Sequence, residues 1–95
     1  MGDNDLFEFL PRLSVNKFSM EMERVLRRYD NVKGSSGWLS ISENRTVHKL
    51  IIHIEELINF YKENRRQETG EACIHLANYA MMLHEKIVST KGVTR

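Results

Sequence analysis

One proline, one cysteine and five glycines are the only breakers and cross-linkers in this chain of 95 residues. Every residue after Pro11 is free of the strongest helix breaker, and the glycines at 34, 37, 70 and 92 punctuate the sequence rather than interrupt it. A lone cysteine excludes a disulfide framework within one chain and suits a reducing compartment. Cys73 sits inside an apolar helical pattern, so a buried thiol is expected there. Charge of one sign is also lacking: 14 Lys and Arg against 13 Asp and Glu leave +1. Nothing in that balance demands a nucleic acid, an anionic membrane or an acidic substrate. No apolar run approaches the roughly 20 residues that span a bilayer. The opening "MGDNDLFEFLPRL" has neither the basic start nor the small-residue cleavage site of a secretory signal. Leu6 stands where a myristoylation signal wants Ser or Thr. A cytoplasmic protein is expected, with no membrane partner. No internal repeat, low-complexity segment or alternation long enough for a sheet is present.

What is there is helical periodicity. A first helix is expected from an N-cap at Ser14 through "VNKFSMEMERVLRRYD", with Val15, Phe18, Met22, Val25 and Tyr29 on one stripe and Arg27 and Arg28 in the last turn. The Gly- and Ser-rich "NVKGSSGWLS" follows and carries the only tryptophan. Ser42 can cap a second helix, whose Val47, Leu50, Ile51, Ile54, Leu57, Ile58 and Tyr61 form an apolar stripe and are read as its core face. That reading leaves Ile52, His53, Glu56 and Phe60 on the outer side. Thr69 can cap a third helix with a stripe of Cys73, Leu76, Ala77, Ala80, Leu83 and Ile87, while Ala72, Tyr79 and Met82 fall off it.

A helix apolar around most of its circumference needs several neighbours, more than one short chain supplies. The fold class read from the sequence is therefore all-α: an antiparallel bundle of three main helices completed by oligomerisation, as a homodimer or homotetramer. A second subunit is expected over the third helix and the outer face of the second. One domain spans residues 14–88, preceded by an N-terminal segment, 1–13, and followed by a short mobile tail, 89–95. The apolar "LFEFLPRL" either docks on the bundle or serves as a recognition segment.

Catalytic signatures are absent. "KGSSG" is not a P-loop, which needs GxxxxGK[ST] between a strand and a helix, and there is no GxSxG, no HExxH and no pair of cysteines for zinc. His53 and Glu56, three apart, share a helix face, and His75 can meet them if the second and third helices pack antiparallel. That set would suit a transition metal such as zinc, the alternative being a solvated or interfacial polar face. His48 and His84 share no spacing with another ligand and are read as structural or exposed. The adjacent Met81 and Met82 are read as core or interface filling.

The order of segments carries more than any one of them. "FSMEMERVLRRYD", the loop "KGSSGW", "HKLIIHIEELINFYKE" and "EACIHLANYAMMLHEKI" together resemble a short MazG-like protein of the all-α nucleotide pyrophosphohydrolase superfamily, of the kind often carried by phages. The resemblance covers roughly residues 18–88, and its most telling piece is "LANYAMML", close to the family's "VANYAMMI". It implies hydrolysis of nucleoside triphosphates to monophosphate and pyrophosphate with magnesium, held by carboxylates in EExxE and ExxD patterns. Aligning "IHIEEL" on EExxEL puts Ile52 and His53 in place of two glutamates and keeps Glu56. Aligning "ACIHLAN" on "ECADVAN" puts Ala72 and His75 in place of the acids. A one-residue slip would recruit Glu55 and Glu71, but each swings by about 100° around its helix and loses the apolar match.

Four of five expected carboxylates are thus replaced, and imidazoles are poor ligands for magnesium. A catalytically degenerate member is expected, binding or inhibiting a protein partner; in a phage-like setting the target would be a host system, by analogy alone. The alternative is a pyrophosphohydrolase, or a nucleotide-binding protein, with an altered divalent metal site (Mg, Mn or Zn) built from His53, Glu56 and His75, with Glu56 the catalytic residue. The resemblance also makes Lys33, Trp38 and Asn78 candidates for a nucleotide: Trp38 by stacking on a base, if it is not simply a packing anchor.

Overall fold

In a computed structural model, residues 10–33 and 37–89 are described, and every regular element among them is helical. Helix α1 runs Leu13–Lys33, a single 3₁₀ turn covers Gly37–Ser40, α2 runs Glu43–Lys62 and α3 runs Arg66–Ser89. The all-α expectation holds. The first nine residues and residues 90–95 lie outside the described part, and with them most of the N-terminal segment and the tail. No helix among the described residues is long and apolar enough to cross a membrane.

The hairpin of α2 and α3 is fixed by its ends. Ser42 caps α2 as expected: its hydroxyl accepts from the Arg45 N–H at 3.1 Å. At the other end Asn64 adopts a left-handed backbone, φ 57°. The Asn64 N–H donates to Tyr61 O and the Arg65 N–H to Phe60 O, both at 3.0 Å. Two bonds of this register after the cap residue Glu63 make a Schellman motif, which satisfies carbonyls the helix end leaves open. The apolar contact that usually accompanies the motif is here the Arg65 guanidinium lying 4.7 Å from the centre of the Phe60 ring. Arg65 also reaches Glu63 at 3.2 Å and Glu68 at 2.9 Å, which holds the Glu68 carboxyl below its ordinary range. Only residues 63–65 separate the helices, so they return antiparallel in close contact.

Three helix boundaries differ from the sequence reading. α1 begins at Leu13, so Ser14 is inside it, and it continues to Lys33, which takes Arg27 and Arg28 out of the last turn. α3 begins at Arg66, three residues before Thr69. Thr69 is not a cap; its hydroxyl donates back to Arg65 O at 2.7 Å. The Schellman turn explains this, because the helix restarts two residues after Asn64 and leaves no loop for Thr69 to close.

The larger correction concerns faces. On α2 the residues turned inward are Thr46, 1% exposed, and the half-buried Leu50, Ile52, His53, Leu57 and Phe60. Val47, Ile51, Ile54, Ile58 and Tyr61, expected to form the core, are exposed; Ile54 is 42% and Tyr61 63% open. On α3 the buried residues are Ala72, Ile74, Asn78 and Met82, whereas Cys73, Ala80 and Ile87 of the expected stripe are exposed. Cys73 is thus not a buried thiol. Among the described side chains of α1 only Val25 is fully buried; Val15, Phe18 and Tyr29 of its stripe are exposed and Met22 is half-buried. α1 packs mainly on α3, through Val25 and through Asn78, whose amide donates to Met22 O at 3.3 Å.

If the left-handed residue sets the hairpin, Asn64→Val will lower stability by about 1–2 kcal/mol, the usual cost of that backbone for a residue with a Cβ branch, and Asn64→Gly will leave it unchanged or raise it. Urea denaturation of the three proteins checks this. Equal midpoints for Val and Gly would show that the turn does not govern the fold.

Candidate functional site

Turning His53 inward places it against α3. Its ring stacks on His75, centroids 5.5 Å apart and planes 20° apart, and on Tyr79 at 5.0 Å and 19°. Tyr29 of α1 meets His75 edge-on at 6.3 Å. The antiparallel hairpin therefore brings His53 and His75 together as expected, with Glu56 beside them: its Oε1 lies 3.3 Å from His53 Nδ1, without the alignment of a hydrogen bond. The side chain of His53 is 17% exposed and that of Glu56 50%. His75 Nε2 is 3.9 Å from Glu71 Oε1.

This arrangement is a stack, and a stack is not a ligand set. Parallel imidazoles carry their nitrogens side by side in two planes, whereas a metal needs lone pairs that converge on one point. Among the described residues no group of three His, Cys, Asp or Glu side chains is placed to hold a metal ion. The residues present therefore do not fit the magnesium that the MazG resemblance implies, and His53, Glu56 and His75 do not fit zinc in this arrangement. Nor do the shifted acids help. Glu71 is occupied by Arg24, which donates to it at 2.8 Å and is itself shared with Glu21, and Glu55 is exposed. His48 and His84 are exposed, as expected.

Beside the stack lies a cavity of about 70 Å³. Tyr29, Trp38, His75 and Tyr79 supply aromatic walls, and Asp30 and Asn78 supply polar groups. The Trp38 turn is held to α3 by Lys86, whose Nζ donates to Trp38 O at 3.1 Å and stands 5.8 Å from the indole centre. Asn78 is 3% exposed. Because a carbonyl can only accept, the bond to Met22 O orients the Asn78 amide, and Oδ1 is left buried without a partner among the described residues. Such an orphaned acceptor is costly unless a donor reaches it.

No protein-family model matches this chain, and no curated protein or solved structure does so either. The site is thus read from its own geometry.

Trp38 and Asn78, two of the three residues assigned to a nucleotide, line the same cavity. Lys33 ends α1, and its side chain lies outside the described residues. Tyr29, Asp30 and Tyr79 also line the cavity and were not singled out for it in the sequence. Tyr79 was legible as an aromatic off the apolar stripe; the contribution of α1 depends on how that helix crosses α3, which periodicity does not fix.

Burial holds the His75 imidazole below its ordinary value of 6.5, and His53 and Arg28 push the same way against Glu71 and Glu56. Between that depressed value and 6.5 the unfolded chain binds more protons than the folded one, so stability rises with pH there and is lost as pH falls. Thermal unfolding followed from about pH 7 to about pH 5 should show this loss. His75→Phe, which keeps a ring and removes the titration, will flatten the slope; an unaltered slope would take His75 out of the account.

Proposed function

We propose that this chain is a MazG-like helical scaffold that has given up pyrophosphohydrolysis and acts through protein contacts. The observation that carries the reading is the His53, His75 and Tyr79 stack: where the resemblance expects acids to converge on magnesium, rings fill the space between α2 and α3. A lone Glu56, half open to solvent, cannot by itself hold the divalent cations that a triphosphate requires. A protein partner is favoured over a small substrate because large apolar side chains stay exposed along α2 and in the last turn of α3, whereas the cavity beside the stack is well below the roughly 300–1,000 Å³ of ordinary ligand pockets.

A second reading rests on the unpartnered Asn78 Oδ1. The edge of a planar heterocycle with an N–H donor, such as a nucleobase, would satisfy it between Trp38 and Tyr79 without being hydrolysed.

Pyrophosphate release from ribo- and deoxynucleoside triphosphates, with magnesium, manganese and zinc supplied separately, tests the main reading. No turnover is expected with any of them. Turnover abolished by Glu56→Gln would overturn it. For the second reading, free nucleosides should quench the single tryptophan saturably, and Asn78→Leu should remove the effect; unchanged emission contradicts it.

A further inference from the structure

The cavity beside the ring stack carries a charge that neither a protein contact along α2 nor a base between rings makes use of. Asp30 is the one acidic side chain among the described residues that line it, and none of the lining residues is a lysine or an arginine. No ion pair among the described residues includes Asp30. Asp30 also sits in the last turn of α1, which ends at Lys33, where the helix dipole is negative. Carboxylate and dipole end add, so the cavity attracts a cation and disfavours a phosphate. The His75 imidazole in the same wall does not cancel this, because burial lowers its pKa and favours the neutral ring. Lys86 is engaged outside the wall, where its Nζ donates to Trp38 O at 3.1 Å.

Two further properties of the cavity narrow the kind of cation. Tyr29, Trp38 and Tyr79 bring three aromatic rings to it, and ring faces attract a cation within about 6 Å, most strongly one that is weakly hydrated. One face of Tyr79 is taken by His53, which stacks on it at 5.0 Å and braces that wall. Asn78, 3% exposed, contributes the buried Oδ1 that has no partner among the described residues. This oxygen can only accept. A complementary ligand must therefore bring a donor as well as positive charge. A quaternary ammonium has the charge and no donor; a neutral heterocycle has the donor and no charge. The N–H of an alkylammonium supplies both.

Size agrees with this. The cavity, about 70 Å³, is a little over twice the roughly 30 Å³ that one molecule occupies in liquid water. That is room for an ammonium nitrogen with one or two methyl groups. The rest of such a ligand leaves past Tyr29, which is 48% exposed.

We infer that the cavity is a site for an alkylammonium group that keeps at least one N–H, such as the end of a mono- or dimethylated lysine side chain or a small secondary or tertiary amine. The N–H donates to Asn78 Oδ1, the charge is balanced by Asp30, and the methyl groups and stem lie against the rings. The inference stands on the charge and the acceptor of the cavity and does not rest on the loss of pyrophosphohydrolysis. A heterocycle with an N–H is the competing occupant of the same wall.

The test is titration of the full chain with N,N-dimethylbutylammonium, against sodium chloride at equal ionic strength, followed by emission of the single tryptophan and by the NMR shift of its indole N–H. Saturable changes in both are expected. Butyltrimethylammonium, which has the same stem and charge but no N–H, should bind about tenfold more weakly, since it leaves the Asn78 acceptor unmet. Asp30→Asn, which keeps the shape and removes the charge, should weaken the dimethyl probe about tenfold with helical circular dichroism retained. Were that variant not to fold, the comparison of the two ammonium ions on the unaltered chain decides. A blocked dimethyl-lysine amide distinguishes the sources: tighter binding than the bare probe points to a side chain of a protein partner, and equal binding to a free amine. No saturable change with the dimethyl probe overturns the inference. So does equal affinity for the trimethyl ion, or for the probe in folded Asp30→Asn. Nucleosides that bind the unaltered chain and Asp30→Asn alike, where the dimethyl probe binds neither, would give the cavity to a heterocycle instead.

Discussion

The rest of the molecule depends on the three-residue connection at 63–65 and its left-handed Asn64. A Schellman turn fixes the rotation of α2 as it ends as well as the direction in which the chain leaves. With Phe60 held under Arg65, the inward face of α2 is the one carrying Leu57, His53 and Thr46. The stack of His53 on His75 and Tyr79, the burial of Ala72 and Met82, and the outward placement of the Ile54 stripe all follow from that one choice of phase. A different turn would rotate the helix and present the isoleucines to α3 instead.

This explains what was legible in the sequence and what was not. The helices themselves, the Ser42 cap and the meeting of His53 with His75 could be read from periodicity and spacing. The face could not. The stripe of Val47, Leu50, Ile51, Ile54, Leu57, Ile58 and Tyr61 looks like a core because apolar residues are normally turned toward one, yet only Leu50 and Leu57 of it are half-buried. The inference fails when the residues are turned outward, because hydrophobic periodicity records that a face is to be covered without recording by what. The inner contact instead uses Thr46, His53, Tyr79 and Asn78, residues whose polar atoms hide their stacking and packing area from any hydropathy pattern.

The same geometry bears on chemistry. Imidazoles at positions 53 and 75 bring no negative charge to the space between the helices and supply flat surfaces that stack. Two facing acids at this spacing need a cation between them; two stacked imidazoles, that of His75 with its pKa lowered by burial, do not. A helix pair of this kind can close on itself without metal. Two buried polar atoms stay without a hydrogen bond among the described residues, His53 Nδ1 in the stack and Asn78 Oδ1 in the cavity wall shared with Trp38, and the second is where a small ligand has something to gain.

The central claim is that the polar and aromatic face of α2 is inside and its isoleucine face outside. Nuclear Overhauser contacts between assigned ring protons test it most directly. The account predicts strong cross-peaks from His53 to Tyr79 and His75 within one chain, and none from the Ile54 or Ile58 methyls to those rings. Intrachain cross-peaks from Ile54 to Tyr79, with His53 free of both rings, would contradict it.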